Sequence, residues 1–201
     1  HLLLEGLSVG VIPSGLADEV WVLLTILAED DQPDLAYEEE WIDGVGASGL
    51  ALNTVRGVAM NAVMAYAYWR KAQQSVEGAE PELEPRLGDL LDRHLNPQIE
   101  RTKTVRDVYG RWFVYLVECD TTWATGRVDA IFPLDGAHRE LGEASWAAYL
   151  RRRVVVPGSF TWLRPRYVAA VERAIVEACN DGDGEEVDTY ADLLDHLIQL
   201  Y

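Results

Sequence analysis

The sequence predicts an all-α fold of about eight or nine helices in a single domain. Apolar residues recur at helical spacing along most of the chain, and no segment shows the alternation of a half-buried strand. Hydrophobic residues make up 49% of the 201 residues, enough for a substantial core. One β-branched run, VVVPG at 154–158, could form a strand. Because a lone strand would have no pairing partner, we expect an extended buried connector there.

The first predicted helix covers residues 16–30. Ser14 can cap it, and its core face would carry apolar residues at helical spacing. These residues are Val20, Leu23, Leu24 and Leu27. The next segment, YEEEWIDGVGASG at 37–49, is rich in acidic residues and glycine, which indicates either a loop or a broken helix.

Two strongly periodic segments predict the central helices. Asn53 can cap a helix over 54–72, and a second long helix is expected over 102–118. The connection SVEGAEPELEPR between them combines proline, glycine and acidic residues, so 75–85 is a candidate internal hinge. A short helix over 86–95 follows this connection.

Helical patterns continue after residue 118. Asp120 can cap a helix over 121–132, which Pro133 would end because proline has no backbone N–H to donate. A further helix over 139–153 would close with three arginines, whose charge suits the negative end of a helix dipole.

The C-terminal part predicts two more helices and one helical turn. Ser159 should open a short turn of helix, and Pro165 suits the first position of the helix that runs to Asn180. Residues 187–201 carry apolar residues at helical spacing and predict a final amphipathic helix.

A short segment that recurs fifty residues later suggests an internal repeat. TVRGV at 54–58 recurs as TVRDV at 104–108, and a shift of fifty positions places the apolar residues of one helix on apolar residues of the other. The identity alone is no better than coincidence, but the shared register favours a repeat. In that case Val55 and Val105 would face a neighbouring helix. Arg56 and Arg106 would bind a carboxylate or free carbonyls of an adjacent unit.

The same segments carry a family resemblance. ALNTVRGVAMNAVMAYAYW, KTVRDVYGRWFVYLVECDTTWATGRVDAIFP and ASWAAYL together resemble the helical C-terminal regions of large bacterial multidomain proteins. Some of those proteins carry sirtuin-like or NTPase effector domains and are linked to antiphage defence. The resemblance covers roughly residues 50–175. It implies an irregular HEAT-like solenoid that serves as a sensor or scaffold, with any catalysis on other domains.

Charge and composition narrow the possible partners. The chain has 34 acidic and 17 basic side chains, a formal net charge of −17, which makes a nucleic acid an unlikely partner. Two cysteines fit a reducing, cytoplasmic compartment better than a disulfide framework. No apolar run is long enough for a membrane helix, and the first residues do not resemble a signal peptide. We expect a fragment of a larger protein.

The chain contains no recognisable catalytic or metal motif. DGDGEEVDTYAD at 181–192 resembles a calcium loop but has Glu186 and Asp192 where Gly and Glu are needed. Three histidines are far apart in sequence and are expected at the surface or at helix ends: His94, His138 and His196. Cys119 lies in an apolar stretch and should be a buried, inert thiol. We therefore expect no catalytic residue, no metal site and no cofactor.

Two features are candidates for partner binding. One is a cluster of arginines in an acidic chain: Arg151, Arg152, Arg153, Arg164 and Arg166. Helix-end compensation and ion pairs within the chain are the alternative explanation for this cluster. The other is a pair of tryptophans, Trp41 and Trp162, which are harder to place in a core than the remaining aromatics such as Trp146.

The sequence therefore predicts a non-catalytic helical-repeat interaction module. It would be a sensor or scaffold region of a larger cytoplasmic bacterial protein, and it would bind a protein partner or neighbouring domains of the same polypeptide. The alternative is an enzyme of undetected family whose site is assembled from scattered polar residues: Tyr109, Arg111, Asp120 and Arg127. A third hypothesis is a nucleic-acid contact through the arginine cluster.

Overall fold

The fold is entirely helical in the part of the chain that is described. The computed structural model describes residues 1–74, 81–134, 136–155, 158–180 and 187–200. These residues form eleven α-helices and two 3₁₀ turns, with no strand among them. The all-α prediction is confirmed, and the helix count exceeds the expected eight or nine.

The helices are numbered in chain order. They are α1 (Leu2–Ser8), α2 (Ala17–Ala28), α3 (Leu35–Asn53), α4 (Val55–Gln74), α5 (Pro85–Leu95), α6 (Lys103–Cys119), α7 (Thr121–Gly126), α8 (Val128–Ile131), α9 (Arg139–Leu150), α10 (Ser159–Asn180) and α11 (Val187–Leu200). Among the described residues, no helix has both the length and the apolar character needed to cross a membrane.

The N-terminal helices differ from the sequence prediction. Helix α1 was not predicted, and Ser14 begins a 3₁₀ turn rather than capping α2. Of the predicted core face of α2, Val20 and Leu24 are buried, whereas Leu23 and Leu27 are exposed. The reason is that α2 packs on α4 through a narrow stripe that Ala17 and Ala28 complete, and Leu23 and Leu27 lie outside this stripe.

Residues 37–49 form a broken helix, the second of the two predicted alternatives. Gly46 interrupts α3 with φ 69° and ψ 165°, a left-handed conformation that glycine adopts without a Cβ penalty. The cap of α4 is Thr54, whose Oγ1 accepts a bond of 3.3 Å from the backbone N–H of Gly57. The predicted cap, Asn53, instead donates to the carbonyl of Gly49 at 2.7 Å.

Three predicted boundaries in the second half were wrong. The predicted helix over 121–132 is divided into α7 and α8 at Arg127, although Asp120 does cap its start by accepting from Trp123 N–H at 2.7 Å. Helix α9 ends at Leu150, three residues earlier than predicted. Helix α10 continues through Pro165. Within an established helix, neighbouring turns compensate for the one hydrogen bond that proline removes.

Two connections bear on the remaining predictions. Residues 75–80 of the predicted hinge lie outside the described residues. Beyond them, Leu83 N–H donates to Asp120 at 3.2 Å. The prediction of a buried connector at 154–158 is wrong for Val154. This residue is 46% exposed because it follows the end of α9 at the surface. Residues 156–157 lie outside the described residues.

The main layers of the fold follow one another in chain order. Helices α1, α2 and α3 pack on α4, α4 packs on α6, α6 packs on α9, and α9 packs on α11. Helix α6 lies at the centre and also contacts α3, α7 and α8. It is buried on nearly all sides, including polar residues such as Thr104, Arg106 and Asp107.

Helices α6 and α9 approach each other unusually closely. A Cβ added to Gly110 of α6 would lie 1.8 Å from the carbonyl oxygen of Ser145 on α9, so only glycine fits there. Ser145 is fully buried, and its hydroxyl donates to the carbonyl of Ile131 at 2.5 Å. Beside this contact, Phe113 packs edge-on against Phe132 and Tyr149, with ring centroids 5.0 and 5.9 Å apart.

Candidate functional site

The three consecutive arginines after α9 bind three different parts of the chain. Arg151 donates 2.6 Å bonds to Ser48 and to the fully buried carboxylate of Asp107. Arg152 donates to the hydroxyl of Tyr115 at 2.7 Å. Arg153 has φ 51° and donates to Asp192 of α11 at 3.0 Å. Their guanidinium groups therefore connect α3, α6 and α11 to the end of α9.

The other two arginines of the predicted cluster lie on α10 in opposite environments. Arg164 is exposed. Arg166 has a side chain that is only 7% exposed, and it donates to Asp129 at 3.0 Å. Asp129 is itself 97% exposed, so this ion pair is well hydrated on one side. The five arginines do not form one continuous surface patch.

The two candidate tryptophans also differ. Trp41 is 47% exposed on the first part of α3, with its ring 6.3 Å from that of Tyr37. Trp162 packs partly against the hydrophobic core, in contrast to the expectation that it would be hard to place there. Of these two tryptophans, only Trp41 presents a large aromatic surface to solvent.

A cavity of about 520 Å³ lies between α9, α10 and α11. Its wall is mainly apolar and includes Phe132, Trp146, Leu150 and Leu193. Small residues face it from α9 and α10, among them Ala147, Ala169 and Ala170. The space exists because these small side chains do not fill the gap between the helices.

Four arginines also line the cavity: Arg139, Arg151, Arg166 and Arg173. Glu143 accepts from Arg139 at 2.8 Å and pairs with Arg173 at 3.0 Å. Glu143 and Asp192 are the acidic residues of the lining. The cavity is therefore cationic within a chain whose net charge is −17.

Two buried N–H donors of the cavity lining have no acceptor among the described residues. They are Nε of Arg166 and Nε1 of Trp146. Buried donors in folded proteins nearly always have a hydrogen-bond partner, because an unpaired buried N–H costs free energy.

A chain of buried hydroxyl and imidazole groups holds α11 beside the cavity. His196 Nε2 lies 3.0 Å from the carbonyl of Leu150, which can only accept, so Nε2 carries the proton. Nδ1 then accepts from Tyr167 at 3.0 Å, and Tyr167 accepts from Tyr149 at 3.2 Å. Burial lowers the pKa of His196, which favours this neutral form.

Two of the three histidines are buried. The expectation of a surface or helix-end position is confirmed for His94, at the end of α5, and is wrong for His196. His196 is fully buried in the hydroxyl chain. His94 lies in the last turn of α5 but is also buried, with Nδ1 3.5 Å from Glu100 and Nε2 3.7 Å from Glu29. Paired polar neighbours make such burial possible even though the histidines are distant in sequence.

The metal and thiol candidates offer no reactive centre in the described structure. Among the described residues, no three or more His, Cys, Asp or Glu side chains are arranged to hold a metal ion. Residues 181–186 of the calcium-like stretch lie outside them. Burial raises the pKa of Cys119 to about 12, so its thiolate is scarce at neutral pH.

The residues of the alternative enzyme hypothesis each have a separate structural contact. Tyr109 is buried and donates to the carbonyl of Leu91 at 2.7 Å. Arg111 donates to Asp107 at 2.8 Å, and Asp120 caps α7. Arg127 pairs with Asp92 and lies over the ring of Trp123, 4.8 Å from its centroid.

Arg56 and Arg106, the arginines of the suspected repeat, both bind backbone carbonyls near the ends of earlier helices. Arg56 donates to the carbonyl of Asp30 at 2.9 Å and to that of Pro33, just after α2. Arg106 donates to the carbonyl of Leu95 at 2.5 Å, at the end of α5, and to that of Ala130 at 3.1 Å. The two valines differ, because Val105 is buried and Val55 is 45% exposed. The repeat stays a prediction.

The cavity includes residues that the sequence analysis did not select. Arg139 and Arg173 were missed, and Trp146 was regarded only as a core residue. One available signal was the face of α9, where Arg139, Glu143, Trp146 and Leu150 recur at helical spacing. That pattern mixes charge with apolar area, which is unusual for a face directed at a core.

No family model, curated protein or solved structure matches this chain. The candidate site is therefore characterised by its own geometry.

Proposed function

We propose that the protein is a non-catalytic helical-repeat interaction module, with a HEAT-like arrangement of its layers. It would be the sensor or scaffold region of a larger cytoplasmic bacterial protein and would bind a protein partner or neighbouring domains. Antiphage defence is proposed as the setting because the sequence resembles the helical regions of proteins linked to it.

The order of the layers supports this proposal. In a solenoid each repeat contacts mainly its neighbours along the chain, and the sequence of contacts from α4 through α6 and α9 to α11 has that character. The carbonyl contacts of Arg56 and Arg106 are also similar. Each of these arginines lies in the first turn of a central helix and binds a segment at the end of an earlier helix.

The observation that carries the proposal is an exposed stripe on α3. Tyr37, Trp41 and Val45 are spaced four residues apart, and all three are exposed. Exposed acidic side chains at Glu40 and Asp43 lie beside them along the helix. Aromatic residues with an apolar face are the usual anchors of protein interfaces. An aromatic stripe with acidic flanks suits a partner that presents basic residues around an apolar pocket.

We predict that Trp41→Ala weakens partner binding without affecting the fold. A buried interfacial tryptophan contributes at least about 2 kcal/mol, so affinity should fall roughly 30-fold or more. The free energy of unfolding should change by less than about 0.5 kcal/mol, because the side chain is exposed in the isolated chain.

The measurement uses a photo-crosslinking amino acid in the full-length protein in its native cells. Incorporation at Asp43, which is exposed beside Trp41, should give one defined crosslinked partner, identified by mass spectrometry, and Trp41→Ala in the same protein should strongly reduce this crosslink. Incorporation at Val168, which is 45% exposed on α10, is the matched control. Identical crosslinks from both positions, none from position 43, or a crosslink from position 43 that Trp41→Ala leaves unchanged would refute the proposed surface. Substrate turnover by the chain that a single polar substitution abolishes would refute the non-catalytic role.

A further inference from the structure

We propose that the cavity between α9, α10 and α11 binds a small organic anion with an apolar or aromatic body and one carboxylate or phosphate group. This site goes beyond the proposed interaction surface on α3 and does not depend on it. The inference rests on the size of the cavity, on the pairing of its charges and on its two unpaired donors.

The cavity has the size and lining of a small-molecule site. Ligand pockets in proteins typically enclose about 300–1,000 Å³ and combine apolar walls with a few polar groups. The volume of about 520 Å³ lies within this range, and the rings of Phe132 and Trp146 form part of the wall. These two rings are 5.8 Å apart in an edge-to-face arrangement. A flat apolar body would contact both of them.

The ion pairs at the cavity leave two arginines without a carboxylate inside it, Arg151 and Arg166. Arg139 and Arg173 share Glu143, and Arg151 pairs with Asp107. Arg166 is more deeply buried than any of these, and its described partner, Asp129, is almost fully exposed and does not line the cavity. A buried cation generally requires a partner in its own environment. Arg166 is therefore the group that a bound anion would neutralise.

The unpaired donors define the recognition chemistry. Arg166 and Trp146 both line the cavity, and Nε of Arg166 and Nε1 of Trp146 are buried without an acceptor among the described residues. Because protein encloses each of these nitrogens, a ligand in the cavity reaches them through a small shift of the side chain. An N–H group of either side chain can only donate. A ligand that pairs with them must supply acceptor oxygens, and the positive charge of Arg166 favours a carboxylate or phosphate over a neutral carbonyl.

The occupant is a small molecule rather than a protein segment because the cavity lies between packed helices. Its walls come from α9, α10 and α11, and the hydroxyl chain from Tyr149 to His196 fixes α11 in place. A free aromatic or apolar acid covers the wall and pairs the donors together.

The test is titration calorimetry on the full chain with defined probes. The acidic probes are benzoate, 1-naphthoate and phenyl phosphate, and the matched neutral probe is 1-naphthalenemethanol. At least one acid should bind, and 1-naphthalenemethanol should bind about 10- to 100-fold more weakly than 1-naphthoate, because charge-assisted hydrogen bonds are lost. Absence of binding by all three acids would overturn the proposal, as would equal binding of the acid and the alcohol.

Two variants locate the site. Arg166→Gln should weaken binding by the same 10- to 100-fold, whereas Arg164→Gln, two residues away on the exposed side of α10, should leave it unchanged. Ala169→Leu retains every arginine but fills the cavity, so it should also prevent binding. Thermal melting confirms that each variant folds. Equal effects of Arg166→Gln and Arg164→Gln, or normal binding by Ala169→Leu, would exclude this cavity as the site.

Discussion

The two sides of α9 contact their neighbours in opposite ways. Toward α6 the backbones touch, since Gly110 has no space for a Cβ beside Ser145. Toward α10 and α11 the helices leave a cavity of about 520 Å³ lined by arginines. Both sides use small residues, glycine and serine on the first and alanines on the second. Small residues alone therefore do not determine whether an interface is closed or open.

The difference lies in what accompanies the small residues. On the side of α9 that faces α6, the closed side, large rings such as Phe113 and Tyr149 fill the volume beside the contact. The Ser145 hydroxyl there donates a hydrogen bond to the carbonyl of Ile131. On the side of α9 that faces α10 and α11, the open side, the long side chains are arginines, and two of them pair with Glu143 in the cavity lining. The closed side stabilises the fold, and on the open side two buried donors, Arg166 Nε and Trp146 Nε1, have no acceptor among the described residues.

The largest predicted effect is at the closed side. Gly110→Ala should destabilise the protein by about 3 kcal/mol or more, because α6 and α9 must separate to admit the Cβ. Denaturant unfolding measures this loss. Gly126→Ala is the control, since nothing lies within 4 Å of its added Cβ, and its stability should change little. If both variants unfold at the same denaturant concentration, the close contact is not important for stability.

An intermediate effect is expected from the hydroxyl chain that joins α11 to the open side. His196→Ala should cost about 2 kcal/mol, because Tyr167 and the carbonyl of Leu150 lose their buried partner. Hydrogen exchange should localise the loss of protection to α11. Ile198→Ala, at a residue 73% exposed on the same helix, should leave that protection unchanged.

The pH dependence of this contact has a defined sign. Burial lowers the pKa of His196 below its ordinary value of 6.5, against the opposing effects of Leu150, Asp192 and Asp195. Its contribution to stability is therefore complete above about pH 6.5 and is lost as the pH falls through the lower folded pKa. Wild-type stability should fall more steeply with acid than that of His196→Ala. Parallel pH profiles would contradict the buried neutral form.

The sequence predicts the closed side much better than the open side. The periodicity of α6 places Val105, Phe113 and Leu116 in the core, and all three are buried. Likewise, the cap formed by Asp120 follows from local residue order. Such features depend on residues a few positions apart, and helical spacing relates them directly.

The open side depends on which helices are neighbours, and helical spacing does not contain that information. Arg139 and Arg173 meet at Glu143 because α9 lies beside α10, although they are far apart in sequence. In the same way, periodicity marks Leu23 of α2 as apolar but not whether a neighbour covers it, and it is 49% exposed. Pro165 was misjudged because its effect depends on the surrounding helix.

The smallest change in stability is predicted for a substitution of Arg166, on the open side. Arg166→Met should change the free energy of unfolding by less than about 1 kcal/mol, because replacing a poorly paired buried cation by an apolar side chain is often neutral or stabilising. Thermal and denaturant melts in parallel with Gly110→Ala provide the measurement. A loss of several kcal/mol would mean that Arg166 is retained for the fold and not for a ligand.

The order of the layers has a consequence for the way the chain acquires its structure. Helices α1, α2 and α3 pack on α4, and α4 packs on α6. Most contacts of the N-terminal half therefore join segments that leave the ribosome soon after one another. Such contacts require the closure of only short loops, which favours rapid folding. Helices α1 to α4 can thus associate before α9, α10 and α11 are synthesised, so the cavity forms after these N-terminal contacts.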